Sequence, residues 1–269
     1  LAEGADTLIT MGAAQSNHAR QTAAAAAQYG LRCVLVLSGF APAKTNGNLL
    51  IDRLVGAHVY WAGDRSQNDM MAEVARSERA AGRVPYIVPY GGSNPIGAAG
   101  YVAAMHELVR QIIEQDLGVD WIVHASSSGG TQAGLVAGAR AFHYQGQILG
   151  VSVDRPASEL IPHVQDLATR TADRAGFRID IDPDAVQVSD DYLGDGYGVL
   201  GLPEKDAIEL LAKTEGLLLD PVYTVRAMAG MLDLSERGWF GKKDSILFWH
   251  TGGTAGLFAY AHELVGTDR

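Results

Sequence analysis

The sequence predicts an α/β fold with two open, mostly parallel sheets that are covered by helices. Short apolar runs alternate with stretches of helical spacing along the 269 residues, an order that is typical of parallel sheets. The runs are continuous in Val, Ile and Leu, as in strands that are buried on both faces. Several of them end in loops of glycine and small polar residues, at the edge where such sheets bind ligands.

The first hundred residues contain four predicted strands, each followed by a helix. The strands are 7–11, 33–37, 58–61 and 85–88, and the helices are an alanine-rich one ending at Tyr29, then 48–55, 67–81 and 96–115. Because the long last helix can join two sheets, we expect a small domain over 1–100 and a larger, ligand-binding domain over 101–269. The first residues are typical of a helix end entering a strand, so we expect the chain to begin within a domain.

The second half repeats this order of strands and helices. The predicted strands are 121–125, 148–153, 186–188 and 245–249, and the helices are 135–142, 156–175, 204–214, 222–236 and a final one opened by 250–253.

Composition restricts the partners and the compartment. With 47% apolar residues and a formal net charge of −10, the chain is predicted to be globular, without the basic surface that nucleic acid or an anionic membrane requires. No apolar run reaches the length of a membrane span. The single Cys33 lies in an apolar strand and is expected to be a core thiol, as in proteins of the reducing cytoplasm. No metal site is predicted.

The loop from Ser126 to Thr131 has the composition of a phosphate site. Gly129 and Gly130 follow an apolar strand and precede a helix, so backbone N–H groups can converge at the positive helix N-terminus. For the glycines alone, a turn that only caps the helix is the better explanation. Three more polar loops end apolar runs, at 15–18, 194–198 and 250–253. We expect the four loops to converge on one crevice, which favours a phosphorylated cofactor.

The loop at 15–18 offers hydrogen-bonding and proton-transfer groups. In the functional interpretation Ser16 moves protons, Asn17 bonds a cofactor oxygen and His18 tunes both. The structural alternative is that Ser16 or Asn17 caps the alanine-rich helix.

The remaining candidates are hydroxyl groups. Tyr197 lies between glycines, which either expose its phenol to a ligand or let the ring cover its own loop. Tyr223 begins a helix, and in the structural alternative Thr224 caps that helix while Tyr223 packs over the turn. Thr251 is expected to end a buried strand and cap the last helix, where its neutral hydroxyl can face a pyridine nitrogen.

Six motifs carry a resemblance over essentially the whole chain: QSNHARQTAAAAA, GGSNPIGAAGY, GTQAGL, GDGYG, LLLDPVYT and HTGG. In this order they resemble the pyridoxal-phosphate enzymes of the D-cysteine desulfhydrase and 1-aminocyclopropane-1-carboxylate deaminase family, which have the tryptophan-synthase-β-like fold (fold type II). L-cysteate sulfo-lyases have similar motifs. The family implies a homodimer that acts on a small amino acid, and the single cysteine favours a cytoplasmic location.

The resemblance also implies roles for the candidate residues. Residues 128–131 (Ser128, Gly129, Gly130 and Thr131) hold the cofactor phosphate, Asn17 bonds the ring hydroxyl oxygen, Thr251 faces the pyridine nitrogen and Tyr223 lies against the ring. Ser16 and Tyr197 lie on the substrate side and take part in proton transfer or carboxylate binding, with His18 beside them.

Two positions that separate subfamilies and three departures from the family pattern affect these expectations. The cyclopropane-opening members carry Glu and Leu where this chain has Thr224 and Thr251, so the desulfhydrase type is favoured. The family's cofactor-linking lysine lies in a GGNKTRK-like motif that resembles no part of this chain, and we expect it upstream of Leu1; Lys44 is expected to face solvent. The YTGK motif that is usual in the family is replaced by Tyr-Thr-Val-Arg at residues 223–226. The segment 38–44 is shorter than the corresponding segment in the family.

The sequence therefore predicts α,β-elimination of D-cysteine to pyruvate, ammonia and hydrogen sulfide. Three alternatives remain open: an L-cysteate sulfo-lyase that releases sulfite, a 1-aminocyclopropane-1-carboxylate deaminase, and a catalytically silent amino-acid-binding homologue.

Overall fold

The computed structural model describes residues 2–266. It divides into two compact units, one comprising the residues up to Gly92 together with those from Ala255 onward, and the other comprising Ser93–Thr254. The division therefore falls a few residues before the predicted boundary at residue 100, and the C-terminal residues belong to the first unit rather than to the second. The long predicted helix lies wholly in the second unit.

The first unit contains a four-stranded parallel sheet with helices on both faces. Its strands are β1 (Thr7–Gly12), β2 (Arg32–Leu37), β3 (His58–Trp61) and β4 (Pro85–Ile87), in the order β3-β2-β1-β4. Its helices are α1 (Asn17–Gln28), α2 (Gly47–Leu54), α3 (Gln67–Ala80) and, in the C-terminal segment, α10 (Ala261–Val265).

Small side chains bring α1 close to this sheet. Ala19, Ala23 and Ala26 recur at helical spacing and are completely buried in a cluster with Leu35 and Leu37 of β2. The alternate residues of β2 face a second cluster that α3 covers. The central strands are therefore covered on both faces, as their continuous apolar sequence predicts.

The second unit contains the other parallel sheet. Its strands are β5 (Trp121–Ser126), β6 (Gln147–Ser152), β7 (Gln187–Ser189) and β8 (Ile246–Phe248), in the order β7-β6-β5-β8. Its helices are α4 (Pro95–Glu114), α5 (Gly130–Ala141), α6 (Ala157–Arg174), α7 (Leu202–Thr214) and α8 (Thr224–Glu236). Helix α9 (Thr254–Leu257) follows β8 and starts at the last residue of this unit.

Two glycines let α4 and α5 pack closely. A Cβ atom at Gly134 would lie 2.2 Å from the Ala98 carbonyl oxygen, and one at Gly138 would lie 2.6 Å from the Met105 Cβ atom. Real side chains do not approach this closely, so glycine at these positions sets the depth at which α5 sits. The N-terminus of α5 is the predicted phosphate loop, and its position depends on this contact.

The fold class and all eight predicted strands are confirmed, but the four edge strands are not buried on both faces as predicted. The strand at 245–249 was expected to be buried, but all three residues of β8 are half-buried. The reason is its place in the sheet, because β8 lies at the end of the strand order with β5 as its neighbour and is an edge strand. The edge strand β3 alternates exposed and half-buried residues for the same reason.

Candidate functional site

The predicted site residues are divided between the two units. Ser16, Asn17 and His18 lie at the N-terminus of α1 in the first unit, and the other predicted residues lie in the second.

Ser16 is the N-cap of α1. Its buried Oγ atom accepts a hydrogen bond from the Ala19 N–H at 3.1 Å, which confirms the capping interpretation. A Cβ atom at Gly12 would lie 2.6 Å from Ser16 Oγ, so β1 must end in glycine for this cap to form. The cap uses the hydroxyl oxygen as an acceptor and leaves its hydrogen for a further acceptor, so capping and proton transfer are compatible.

Asn17 is held by Asn48 of α2. The Asn48 Nδ2 atom donates to Asn17 Oδ1 at 2.7 Å and to the Gln15 carbonyl oxygen at 2.8 Å. Asn48 is completely buried, whereas Asn17 is half-buried. Sequence reasoning missed this partner, because Asn48 is 31 residues away along the chain.

His18 is a neutral histidine with a defined tautomer. The Thr10 hydroxyl donates to the Val88 carbonyl oxygen at 2.9 Å, so its oxygen accepts the hydrogen that His18 Nε2 carries, at 2.8 Å. Burial lowers the pKa of His18 to about 4, so the ring is uncharged at neutral pH. Its Nδ1 atom is therefore an acceptor.

The loop before α5 has the form of an anion cradle. Gly129 adopts the left-handed conformation, with φ 83°, and caps α5 without a side-chain hydrogen bond. The backbone N–H groups of Thr131 and Gln132 have no acceptor among the described residues, as expected for the first turn of a helix. These donors and the positive end of the helix fit a phosphate group.

Ser93 and His163 pack against the outside of this cradle. Ser93 Oγ accepts from the Gly130 N–H at 3.1 Å and donates to Ser128 Oγ at 2.8 Å. A Cβ atom at Gly130 would lie 2.6 Å from Ser93 Oγ, and one at Gly129 would lie 3.0 Å from the His163 ring. Glycine is thus favoured at position 130 by lack of space and at position 129 by its positive φ, and the Ser128 hydroxyl hydrogen remains available to a ligand.

Tyr197 and Tyr223 form a pair of phenols. Their hydroxyl oxygens are 2.5 Å apart and their rings meet edge to face at 5.9 Å. Tyr197 remains 39% exposed, so the pair is open to a ligand and the ring does more than cover its own loop.

The structural interpretation of Thr224 is wrong, because Asp220 caps α8. The Asp220 carboxylate accepts from the backbone N–H groups of Val222, Tyr223 and Thr224, the last at 2.6 Å. The Thr224 hydroxyl donates to Asp220 Oδ1 and accepts from the Asp220 N–H. Burial raises the pKa of the Asp220 carboxyl, and these hydrogen bonds oppose the rise. Thr224 is therefore engaged within the turn.

Thr251 does not cap the last helix, contrary to the prediction. The helix begins at Thr254, and the turn before it is held by His250, which accepts from the Gly252 N–H and bonds the Leu218 carbonyl oxygen at 3.0 Å. Since the two glycines at 252 and 253 both have positive φ, they continue the turn and delay the helix. Thr251 is half-buried and makes no hydrogen bond through its side chain with the described residues.

Arg226 organises the loop around Tyr197. It is 2% exposed, and its guanidinium donates to the carbonyl oxygens of Gly196 and Val199, on both sides of Tyr197, at 3.1 and 3.0 Å. It also donates to Val153 and Leu193. The sequence shows that Arg226 replaces the lysine of the family's YTGK motif, but it does not predict that Arg226 holds the loop around Tyr197.

The lysines of the chain lie at the surface. Lys44, Lys213, Lys242 and Lys243 are exposed and Lys205 is half-buried. Lys44 thus faces solvent, as predicted.

The fold and the cradle define a protein that binds a phosphorylated cofactor. A family model described as "Pyridoxal-phosphate dependent enzyme" matches residues 1–252. The chain belongs to this family, and pyridoxal phosphate is its cofactor.

Solved structures agree with this assignment. An "ACC deaminase homologue" has a TM-score of 0.86 and 35% sequence identity, over 98% of this chain and 79% of that chain. O-ureido-L-serine synthase has a TM-score of 0.65 at 16% identity, over 98% and 78% of the two chains. A threonine deaminase from T.th. has a TM-score of 0.65 at 20% identity, over 93% and 78%. The last two share the fold. Within residues 2–266 no helix has the length and apolar character to span a membrane.

Proposed function

We propose that this protein is a lyase that converts D-cysteine and water to pyruvate, ammonia and hydrogen sulfide. The observation that carries this proposal is the hydroxyl of Thr251, a neutral group without a side-chain partner among the described residues. By the family resemblance, this hydroxyl faces the pyridine nitrogen. A neutral partner is sufficient when a good leaving group departs from the β carbon.

The cofactor, when bound, supplies an electron sink for the negative charge that develops at the substrate α carbon. In our proposal the N–H groups and hydroxyls of residues 128–131 bind its phosphate, Asn17 donates to its ring oxygen and Tyr223 lies against its ring. The 2.5 Å contact between Tyr197 and Tyr223 allows one phenol to hold a proton that the other releases. Ser16 donates its free hydroxyl hydrogen to the substrate carboxylate or takes part in the proton transfer.

A second candidate is 1-aminocyclopropane-1-carboxylate deaminase. The 35% identity to an "ACC deaminase homologue" over nearly the whole chain favours it. Residues 224 and 251 are Thr in this chain, and the resemblance associates that pair with the desulfhydrase type. Because the Thr224 hydroxyl is engaged by Asp220, Thr251 carries the greater part of this distinction.

The test is to incubate the purified full-length protein with D-cysteine, L-cysteate and 1-aminocyclopropane-1-carboxylate in parallel. We expect pyruvate and sulfide from D-cysteine. Pyruvate and sulfite from L-cysteate alone would assign the sulfo-lyase, and 2-oxobutanoate from the cyclopropane alone would assign the deaminase. Absence of turnover with all three substrates would leave a binding protein and overturn the proposal.

A further inference from the structure

Four amide side chains connect the N-termini of α1 and α2. Gln15 Oε1 accepts from the Asn48 backbone N–H at 2.8 Å, and Asn48 Nδ2 donates to the Gln15 carbonyl oxygen at 2.8 Å and to Asn17 Oδ1 at 2.7 Å. Gln15 Nε2 reaches the Asn46 carbonyl and side-chain oxygens at 3.2 and 3.3 Å. All four residues belong to the first unit.

The backbone fixes the orientation of every amide in this network. An amide oxygen and nitrogen are distinguished by their partners rather than by their shape. The Gln15 carbonyl oxygen can only accept, so the Asn48 atom facing it must be Nδ2. The same Nδ2 group faces Asn17, so the Asn17 atom at 2.7 Å must be the oxygen. The NH₂ group of Asn17 therefore points away from Asn48, and it has no acceptor among the described residues.

The local geometry is specific to this network. Gly47 has φ 55°, and a Cβ atom there would lie 2.3 Å from Gln15 Oε1. Asn48 is completely buried, yet its Oδ1 atom has no hydrogen-bond partner among the described residues. A buried carbonyl oxygen without a donor is unfavourable for folding. The asparagine is therefore placed for its buried NH₂ group, which serves both the Gln15 carbonyl oxygen and Asn17.

We infer that Asn48 is a positioning residue, which holds the Asn17 amide so that it offers a hydrogen-bond donor to the oxygen on the cofactor ring. This inference rests on the proposed contact between Asn17 and that oxygen. An aspartate at position 48 has no donor, so the Asn17 amide would turn over to donate to it and would present its own oxygen to the ring. The Asn17 oxygen and the ring oxygen would then face each other without a hydrogen between them, and they would repel each other.

The test measures the dissociation constant of pyridoxal phosphate by absorbance titration of the full-length protein and its variants. We expect Asn48→Asp to weaken binding at least about tenfold and to shift the absorption band of the bound cofactor in the same direction as Asn17→Ala. Asn46→Asp is the matched control. It adds the same charge two residues away and keeps the acceptor that Gln15 uses, so we expect less than about a threefold change.

A double-mutant cycle separates positioning from general damage to the fold. In the Asn17→Ala background, Asn48→Asp should have no further effect on the dissociation constant. The inference is overturned if Asn48→Asp has no more effect than Asn46→Asp, or if its effect persists in the Asn17→Ala background. Where Asn48→Asp does not fold, as judged by circular dichroism, Asn48→Ala takes its place in the same cycle. If Asn17→Ala itself leaves binding unchanged, the proposed role of Asn17 fails as well.

Discussion

Arg226 and Glu204 form a buried ion pair, with 3.2 Å between Nε and Oε1. The second carboxylate oxygen of Glu204 accepts from the Gly201 N–H at 3.0 Å, at the start of α7. The two remaining nitrogens of Arg226 donate to four carbonyl oxygens, and two of these flank Tyr197. A single guanidinium thus connects α7, α8 and the loop that carries Tyr197.

We expect Arg226→Lys to lower both stability and activity. Lysine keeps the charge, but its three donors cannot reproduce the planar fork that reaches four carbonyl oxygens. The free energy of unfolding should fall by about 2 to 4 kcal/mol in urea titrations, because buried carbonyl oxygens lose their donors. The kcat should fall at least about tenfold, because Tyr197 loses its support. Lys205→Arg, at the half-buried neighbour of Glu204, is the control and should change neither quantity. Unchanged kcat in a destabilised Arg226→Lys protein would contradict the positioning of Tyr197.

The phosphate cradle predicts a contrast between two glycines of α5. Gly130→Ala places a Cβ atom 2.6 Å from Ser93 Oγ, and should weaken pyridoxal phosphate binding at least about tenfold, a loss of about 1.4 kcal/mol. Gly138→Ala crowds Met105, two turns further along the same helix, and should lower the melting temperature with little change in affinity. Absorbance titration and thermal unfolding measure the two effects. Equal changes in affinity would show that the cradle has no special role.

The sequence predicted the parts of the structure that depend on near neighbours. The apolar run before Ser126 and the glycines after it define β5, the turn and α5 within a few residues. The partners that complete the sites are distant: Ser93 lies 37 residues from Gly130, and Asn48 lies 31 residues from Asn17. The sequence does not distinguish a buried asparagine that donates to another side chain from one that faces solvent. Only the fold shows which role it has.

Thr251 and Thr224 show that a local pattern can also predict a wrong role. Local sequence predicts a capping role for both, because threonine before a helical pattern is a common N-cap. The carboxylate of Asp220 takes that role for α8, since it reaches three N–H groups where a hydroxyl reaches one. Glycines with positive φ delay the helix after Thr251.

The phenol pair predicts that Tyr197→Phe and Tyr223→Phe have similar effects. Each substitution removes one half of the 2.5 Å contact, and kcat/KM for the accepted substrate should fall by about 10²- to 10⁴-fold. Because the two hydroxyls act together, the double variant should be little worse than either single one. Tyr192→Phe is the control, since its hydroxyl donates to Asp233 in the last turn of α8, at 2.7 Å, and not to either phenol. Fully additive effects would mean that the hydroxyls act separately.

Two histidines make the stability depend on pH in the acid range. Burial lowers the pKa values of His18 and His124 to about 4, from 6.5 in the unfolded chain. Between these values each unfolded histidine binds a proton that the folded one does not, so the contribution of the two histidines to stability falls as the pH decreases from 6.5 to 4. Burial raises the pKa of Asp52 to about 7, so that carboxyl contributes in the opposite direction. Each histidine contributes a slope of at most about 1.4 kcal/mol per pH unit.

His124 allows this contribution to be isolated. It is completely buried in β5, its Nδ1 atom donates to the Ala125 carbonyl oxygen at 2.9 Å and its Nε2 atom has no partner among the described residues. His124→Asn keeps a donor near the position of Nδ1 and removes the titration. In urea titrations from pH 4 to 7, the free energy of unfolding of this variant should therefore depend less steeply on pH. The difference in slope should correspond to about one proton, even if the variant is less stable at neutral pH. The exposed His262→Gln should retain the slope of the unmodified protein. A His124→Asn variant with that same slope would show that His124 already carries its proton in the folded state, and the unpaired Nε2 atom would then need another explanation.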